Sequence, residues 1–139
     1  MLSDMIHWQA WAVITARRLR HRVNYYRLPA WNRWCITRAR ILSRKGRTGK
    51  LSDSHKPSKK NILKLVERQG KTCALTGLSL TPDTASLDHR HPVSNGGSDS
   101  VANLQVLHDV VNQMKGTLSQ AEFISWCQTV ADYSRQDDG

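Results

Sequence analysis

Leu87 to Gly116, LDHRHPVSNGGSDSVANLQVLHDVVNQMKG, is the stretch on which the fold turns. Asp88 stands beside His89, with His91 two residues on, then Asn103, then Asn112 and Lys115. An oxygen-bearing carboxylate next to an imidazole is what a hydrolase uses to set a hard cation beside a proton acceptor. Ala85-Ser86-Leu87-Asp88 and Pro92-Val93-Ser94 read as two short strands flanking a bend. Asn95-Gly96-Gly97-Ser98 is a strong turn signal, because these residue types tolerate positive φ. Such a turn lets groups distant in sequence converge. Asn112 and Lys115 are three apart and share a face if that segment is helical.

On either side of this stretch the pattern is helical. Residues 59–69 (KKNILKLVERQ) carry Ile62, Leu63, Leu65 and Val66 on one stripe. Ser58 is placed to cap that helix at its start, and Gly70 fits a left-handed cap at its end. Thr72 to Leu80 is short and holds a Thr-Gly turn. Ser119-Gln120-Ala121-Glu122 is a capping box for a last helix over 119–133, with Phe123, Trp126, Cys127 and Val130 expected as its buried face. Further towards the N-terminus, residues 4–27 and 30–44 read as two helices broken at Pro29, which cannot continue a helix from within. Between them and the rest, the polar run Ser43 to Ser58 reads as a linker. The expected organisation is a helical extension over 1–44, a linker over 45–58 and a main domain over 59–139.

Charge divides the chain in the same way. Residues 1–60 hold 15 basic side chains against 2 acidic, and residues 61–139 hold 6 against 9, so a +13 extension joins a −3 domain to give the net +10. Asymmetry of this size points to an arm for a polyanion. Its cations are Arg17, Arg18, Arg20, Arg22, Arg27, Arg33, Arg38, Arg40, Arg44, Lys45 and Arg47, interleaved with tryptophans and tyrosines. The tryptophans have two readings, packing on each other or the rest of the protein, and stacking on unpaired bases. No apolar run approaches the ~20 residues of a bilayer span. No basic residue precedes the Trp8–Ala16 run, so a secretory signal is not expected. Three cysteines without a C-x-x-C fit a reducing compartment, and the expected location is cytoplasmic.

The central stretch resembles the HNH (ββα-metal) endonucleases, whose pattern is D-H-x-x-P-x-S-x-G-G, then N-L-Q-x-L, then N-x-x-K-G. This chain supplies Asp88-His89-Arg90-His91-Pro92-Val93-Ser94-Asn95-Gly96-Gly97, then Asn103-Leu104-Gln105-Val106-Leu107, then Asn112-Gln113-Met114-Lys115-Gly116. The resemblance covers about residues 59–117 and implies an α+β fold, a ββα-metal core flanked by helices. It implies His89 as general base, Asp88 and Asn112 as oxygen ligands of one Mg²⁺ (or Mn²⁺), and Asn103 as a structural tie for the loop that carries the base. Lys115 would reach the phosphate. His91 has two readings, a contact to the scissile phosphate and a solvent-facing strand histidine. Arg90 would be the domain's own cation towards DNA.

Many relatives add a structural zinc held by two C-x-x-C pairs. The corresponding positions here are Cys73, Thr76, His108 and Val111. Thr and Val cannot complete a tetrahedral Cys/His site, so no structural zinc is expected. The family activity would be metal-dependent DNA hydrolysis giving 5′-phosphate and 3′-hydroxyl ends, in small chains like the homing, nicking or packaging nucleases of phage and mobile elements. One ββα site cuts one strand, so a double-strand break needs a dimer or two sequential events. The alternative is a nucleic-acid-binding module with a vestigial or accessory nuclease inside a larger machine. A protein partner for the Trp-rich hairpin is a further alternative for the arm.

Overall fold

The computed structural model describes residues 15–22, 24–45 and 57–137. Residues 15–22 and 24–27 are helical, and the rest of the helix expected over 4–27 lies outside the described residues. After the break at Pro29, whose carbonyl accepts from the Arg33 N–H at 3.2 Å, helix α1 runs Ala30–Lys45. Helix α2 (Lys59–Arg68) begins as its sequence suggests: the Ser58 hydroxyl accepts from the Asn61 N–H at 3.2 Å. It ends on a left-handed pair, Gly70 (φ 63°) and Lys71 (φ 56°). Among the described residues no helix is long and apolar enough to cross a membrane.

The architecture is α+β, with a two-stranded antiparallel sheet of β1 (Ala85–His89) and β2 (Leu104–His108). Ala85 faces His108 and His89 faces Leu104. Helix α3 (Asp109–Lys115) follows β2 directly, which makes a ββα succession, and α4 (Gln120–Asp137) closes the chain. The first expected strand is therefore present, and the second is not. Pro92-Val93-Ser94 leads into a 3-10 turn over Val93–Asn95, consistent with a proline that has no N–H for a ladder. The partner strand is Leu104–His108, which is buried on both faces along Leu104, Gln105, Val106 and Leu107. Such a strand shows no polar alternation, so its periodicity is silent.

One core joins these elements. Trp34 and Cys35 of α1 pack with Ile62, Leu65 and Val66 of α2 and with Leu104, Val106 and Leu107 of β2. Burial first, then the charge of Glu67, pushes the Cys35 thiol up to about 11. Trp34 also donates its indole N–H to the Ala85 carbonyl at 3.2 Å, and Trp31 meets it edge to face at 5.6 Å. Tryptophan packing on the protein is thus what the structure shows for this pair. Helix α1 belongs to the core, and the stretch expected as a linker separates two helices that share it. Residues 46–56 lie outside the described residues. Gln69 completes the edge of β2: its side chain donates to the Val106 carbonyl and accepts from the Val106 N–H, each at 2.9 Å.

The last helix departs from expectation. Its capping box forms, with Ser119 N–H on Glu122 Oε2 at 2.8 Å and Glu122 N–H on Ser119 Oγ at 3.3 Å. Of the expected buried face only Phe123 is covered; Cys127 is exposed, Trp126 is 62% exposed and Val130 64%. Beyond Phe123, α4 borders an open depression of about 450 Å³, with Cys127, Ala131 and Arg135 on one side and Leu75, Val111 and Met114 on the other.

Candidate active site

Strand β1 carries Asp88 and His89 side by side, so the two side chains leave the strand on opposite faces. Asp88 points inward and is only 9% exposed. Its Oδ2 accepts from Gln105 Nε2 at 2.9 Å, from the residue directly opposite in the β1–β2 register. Lys115 Nζ lies 3.1 Å from the same oxygen and 3.4 Å from Oδ1, and it donates to the His89 carbonyl at 3.1 Å. Lys115 is itself 1% exposed. An ammonium this deep persists because a carboxylate and a carbonyl meet it. The cation expected to reach a phosphate is thus placed on the carboxylate.

His89 turns the other way. Its Nε2 is 2.9 Å from Asp99 Oδ1, and both side chains are about three-quarters buried. Asp99 was not among the residues singled out from the sequence. The only trace of it there is its place just after the Gly-Gly turn. The His89 and Asp99 side chains border a depression of about 340 Å³ whose wall includes Leu87, and Arg38, Ile41 and Leu42 of α1.

Asn103 builds the loop between the strands. Its Oδ1 accepts from the His91 N–H at 3.0 Å, and its Nδ2 donates to the His91 carbonyl at 2.9 Å and the Ser98 carbonyl at 2.8 Å. Its own carbonyl takes the Arg90 N–H at 2.8 Å. One amide therefore ties both ends of the 91–98 loop. His91 sits on the bend after β1, not on a strand. It is exposed, with Nε2 2.9 Å from the Asn95 carbonyl. Gly97 is where the loop crosses itself: its N–H donates to the Pro92 carbonyl at 2.9 Å. A Cβ there would overlap the His91 carbonyl oxygen and lie 2.7 Å from that carbon and 2.9 Å from the Pro92 oxygen. We expect Gly97→Ala to destabilise the protein by about 1–3 kcal/mol, because only backbone stands in the way and it must shift. Thermal unfolding measures this, and an unchanged midpoint would show that the loop passes elsewhere.

Asn112, on α3, donates Nδ2 to Ser86 Oγ at 2.7 Å, and its Oδ1 has no partner among the described residues. With Asp88 this makes one carboxylate and one amide oxygen, on adjacent elements. Among the described residues Asp88 Oδ1 has only its long contact to Lys115. Two hard oxygens fit Mg²⁺ or Mn²⁺, which keep several waters and need few protein ligands. They do not suit zinc. Among the described residues no three His, Cys, Asp or Glu side chains group to hold a metal ion.

The four positions weighed in the sequence for a structural zinc are Cys73, Thr76, His108 and Val111. Burial alone would raise the Cys73 thiol. Hydrogen bonds from the Thr76 hydroxyl and from the backbone of His108, Leu75 and Thr76 outweigh it and draw the thiol below its ordinary value. His108 caps α3 by accepting the Val110 N–H at Nδ1, 3.3 Å away. Val111 packs on the core.

The basic residues fall in two places. Arg17, Arg18, Arg20, Arg22, Arg27, Arg40 and Arg44 are exposed on helical backbone, as is Arg90 just beyond β1. Arg33 Nη1 donates to the Tyr26 carbonyl at 3.4 Å. Arg22, Arg40, Lys59, Tyr25 and Tyr26 line one depression of about 520 Å³ that no acidic side chain borders among the described residues. Arg38 instead stands at the pocket of His89. Lys45 ends α1, and Arg47 lies outside the described residues.

No protein-family model matches the chain, and no curated protein matches it. Among solved structures it is similar to the Type II-C Cas9 enzyme from Actinomyces naeslundii, at 22% identity over 85% of this chain, with a TM-score of 0.44. The chain spans 11% of that enzyme's length.

Proposed function

We propose that the protein is a metal-dependent DNA endonuclease of the HNH type. One observation carries the reading: the residues of the D-H, central N and N-x-x-K-G elements, up to 27 positions apart, fold into a single ββα unit in which Asp88 and His89 on β1 stand against Lys115 on α3. His89 takes a proton from the attacking water as a new P–O bond forms and the bond to the 3′ oxygen breaks; that oxygen leaves with a proton taken from solvent, which gives 5′-phosphate and 3′-hydroxyl ends. Asp88 and Asn112 would hold Mg²⁺ or Mn²⁺. When bound, the ion offsets charge on the phosphate and the leaving oxygen. Asn103 and Asp99 orient the loop and the imidazole, and Lys115 fixes Asp88. The basic arm, with Arg90, supplies most of the affinity for the DNA backbone and reads no sequence.

A second reading is a nucleic-acid-binding module whose nuclease is vestigial. It is favoured by the saturation of Asp88 Oδ2, which already has Gln105 and Lys115 on it. Incubation of supercoiled plasmid with Mg²⁺, with Mn²⁺ and with EDTA decides between them. The endonuclease reading expects nicked or linear product with either metal, none in EDTA, and ends that ligase seals. Tight binding with no conversion in any metal would leave the binding module.

A further inference from the structure

We propose that Arg38 is a phosphate-binding residue of the candidate active site, taking an oxygen of the DNA backbone in the depression it shares with His89. The choice of DNA as ligand rests on the endonuclease reading; the arginine itself comes from α1, outside the ββα unit. Trp34 is the anchor. Buried and bonded to the Ala85 carbonyl, it fixes α1 against the strand that carries His89. Arg38 is one helical turn later, and its guanidinium carbon lies 5.4 Å from the Trp34 ring centroid. That contact rests a long side chain and its fork of donors against the indole face.

The fork is not consumed. Arg38 Nε is buried and has no hydrogen-bond partner among the described residues. Arginine cannot shed its charge to relieve this. The side chain as a whole is half-buried; its unmet donor on a permanently charged group calls for an acceptor, and a phosphate oxygen matches guanidinium geometry. The depression places such an oxygen beside the candidate base. Its one anionic group, Asp99, is already held by the His89 ring. Arg38 also borders a second depression, with Tyr25, Arg33 and Asp83. That one holds no group of the candidate site.

The test is an NMR titration of the full chain with a short DNA duplex in EDTA, which reads the arginine Nε–H signals and the His89 ring. Arg38→Lys identifies the Arg38 signal by its loss. The proposal expects the Arg38 and His89 signals to move together with one saturation curve. Movement of Arg38 together with Tyr25 and Arg33, with His89 still, would assign it to the other depression and overturn the proposal. An immobile Arg38 signal while the arm's signals shift would overturn it too. If plasmid is cut, Arg38→Gln should lower the rate at saturating DNA by about 10²-fold, with Arg38→Lys in between. An unchanged rate in a folded Arg38→Gln would count against it. Because the titration needs no cleavage, a protein that cuts nothing but still shifts Arg38 with His89 would sink the endonuclease reading and leave this site standing.

Discussion

Replacing Lys115 with methionine is expected to lower the unfolding free energy by about 3–5 kcal/mol, the usual loss when one partner of a buried ion pair is removed. Methionine matches the lysine stem in volume, so the packing loss is small and the electrostatic loss dominates. The Lys115 side chain has no exposure, and its ammonium is 3.1 Å from both Asp88 Oδ2 and the His89 carbonyl. Without it Asp88 keeps only Gln105 as partner, a neutral amide facing a buried carboxylate. The cost therefore comes from the stranded charge. That makes the double variant informative: Asp88→Asn/Lys115→Met removes the charge as well as the ammonium and should recover most of the stability. Urea unfolding of the wild type, both single variants and the double variant measures the cycle. A Lys115→Met protein within 1 kcal/mol of wild type would mean that Asp88 is solvated, and the double variant would then gain nothing. The pair also ties α3 to β1, so this measurement reports how firmly Asn112 and His89 are held relative to each other.

Much of this architecture is legible in local sequence, because its signals are local. Ser58, Gly70 and the Ser119–Glu122 box mark helix ends through bonds made within four residues. Gly97 is readable as a residue type required by the loop, although the reason, a backbone crossing at His91 and Pro92, appears only in three dimensions. What escaped depends on register. Gln105 meets Asp88 because β2 pairs with β1 at that offset, and no spacing rule gives the offset. Gln69 reaches Val106 across 37 residues. Asp99 finds His89 only once Asn103 has folded the loop. The α4 face departs from its periodicity for a different reason. Periodicity says which side of a helix is apolar, and not whether another element lies against it. Trp126 and Val130 satisfy the first condition and fail the second. In the extension, charge counting alone places α1 wholly in the arm. Trp34 and Cys35 make it part of the core, which is how an arginine of the arm comes to stand at the pocket of His89.

His89→Ala is expected to reduce Mg²⁺-dependent plasmid cleavage by about 10²–10⁴-fold, the range for loss of a positioned general base, with DNA affinity in EDTA held within about twofold. The two readouts separate because His89 is one partly buried side chain, whereas nonspecific affinity is spread over many phosphate contacts. The Asp99 contact sharpens the prediction. With Nε2–H donated to Asp99, the other ring nitrogen, Nδ1, keeps its lone pair and has no partner among the described residues. That is the nitrogen left to take a proton from water. Asp99→Ala frees the ring to rotate and to exchange tautomers, so it should cost less than His89→Ala, on the order of 10-fold in rate. Asp99→Asn retains an acceptor oxygen and should lie between wild type and Asp99→Ala. The ordering follows from roles, one group that reacts and one that aims it. If Asp99→Ala instead cleaved faster than wild type, the contact would be a restraint on the histidine, released only when DNA enters. Equal cleavage by wild type and His89→Ala would remove His89 from the chemistry altogether, and with it the reading of Asp99 as its partner in catalysis.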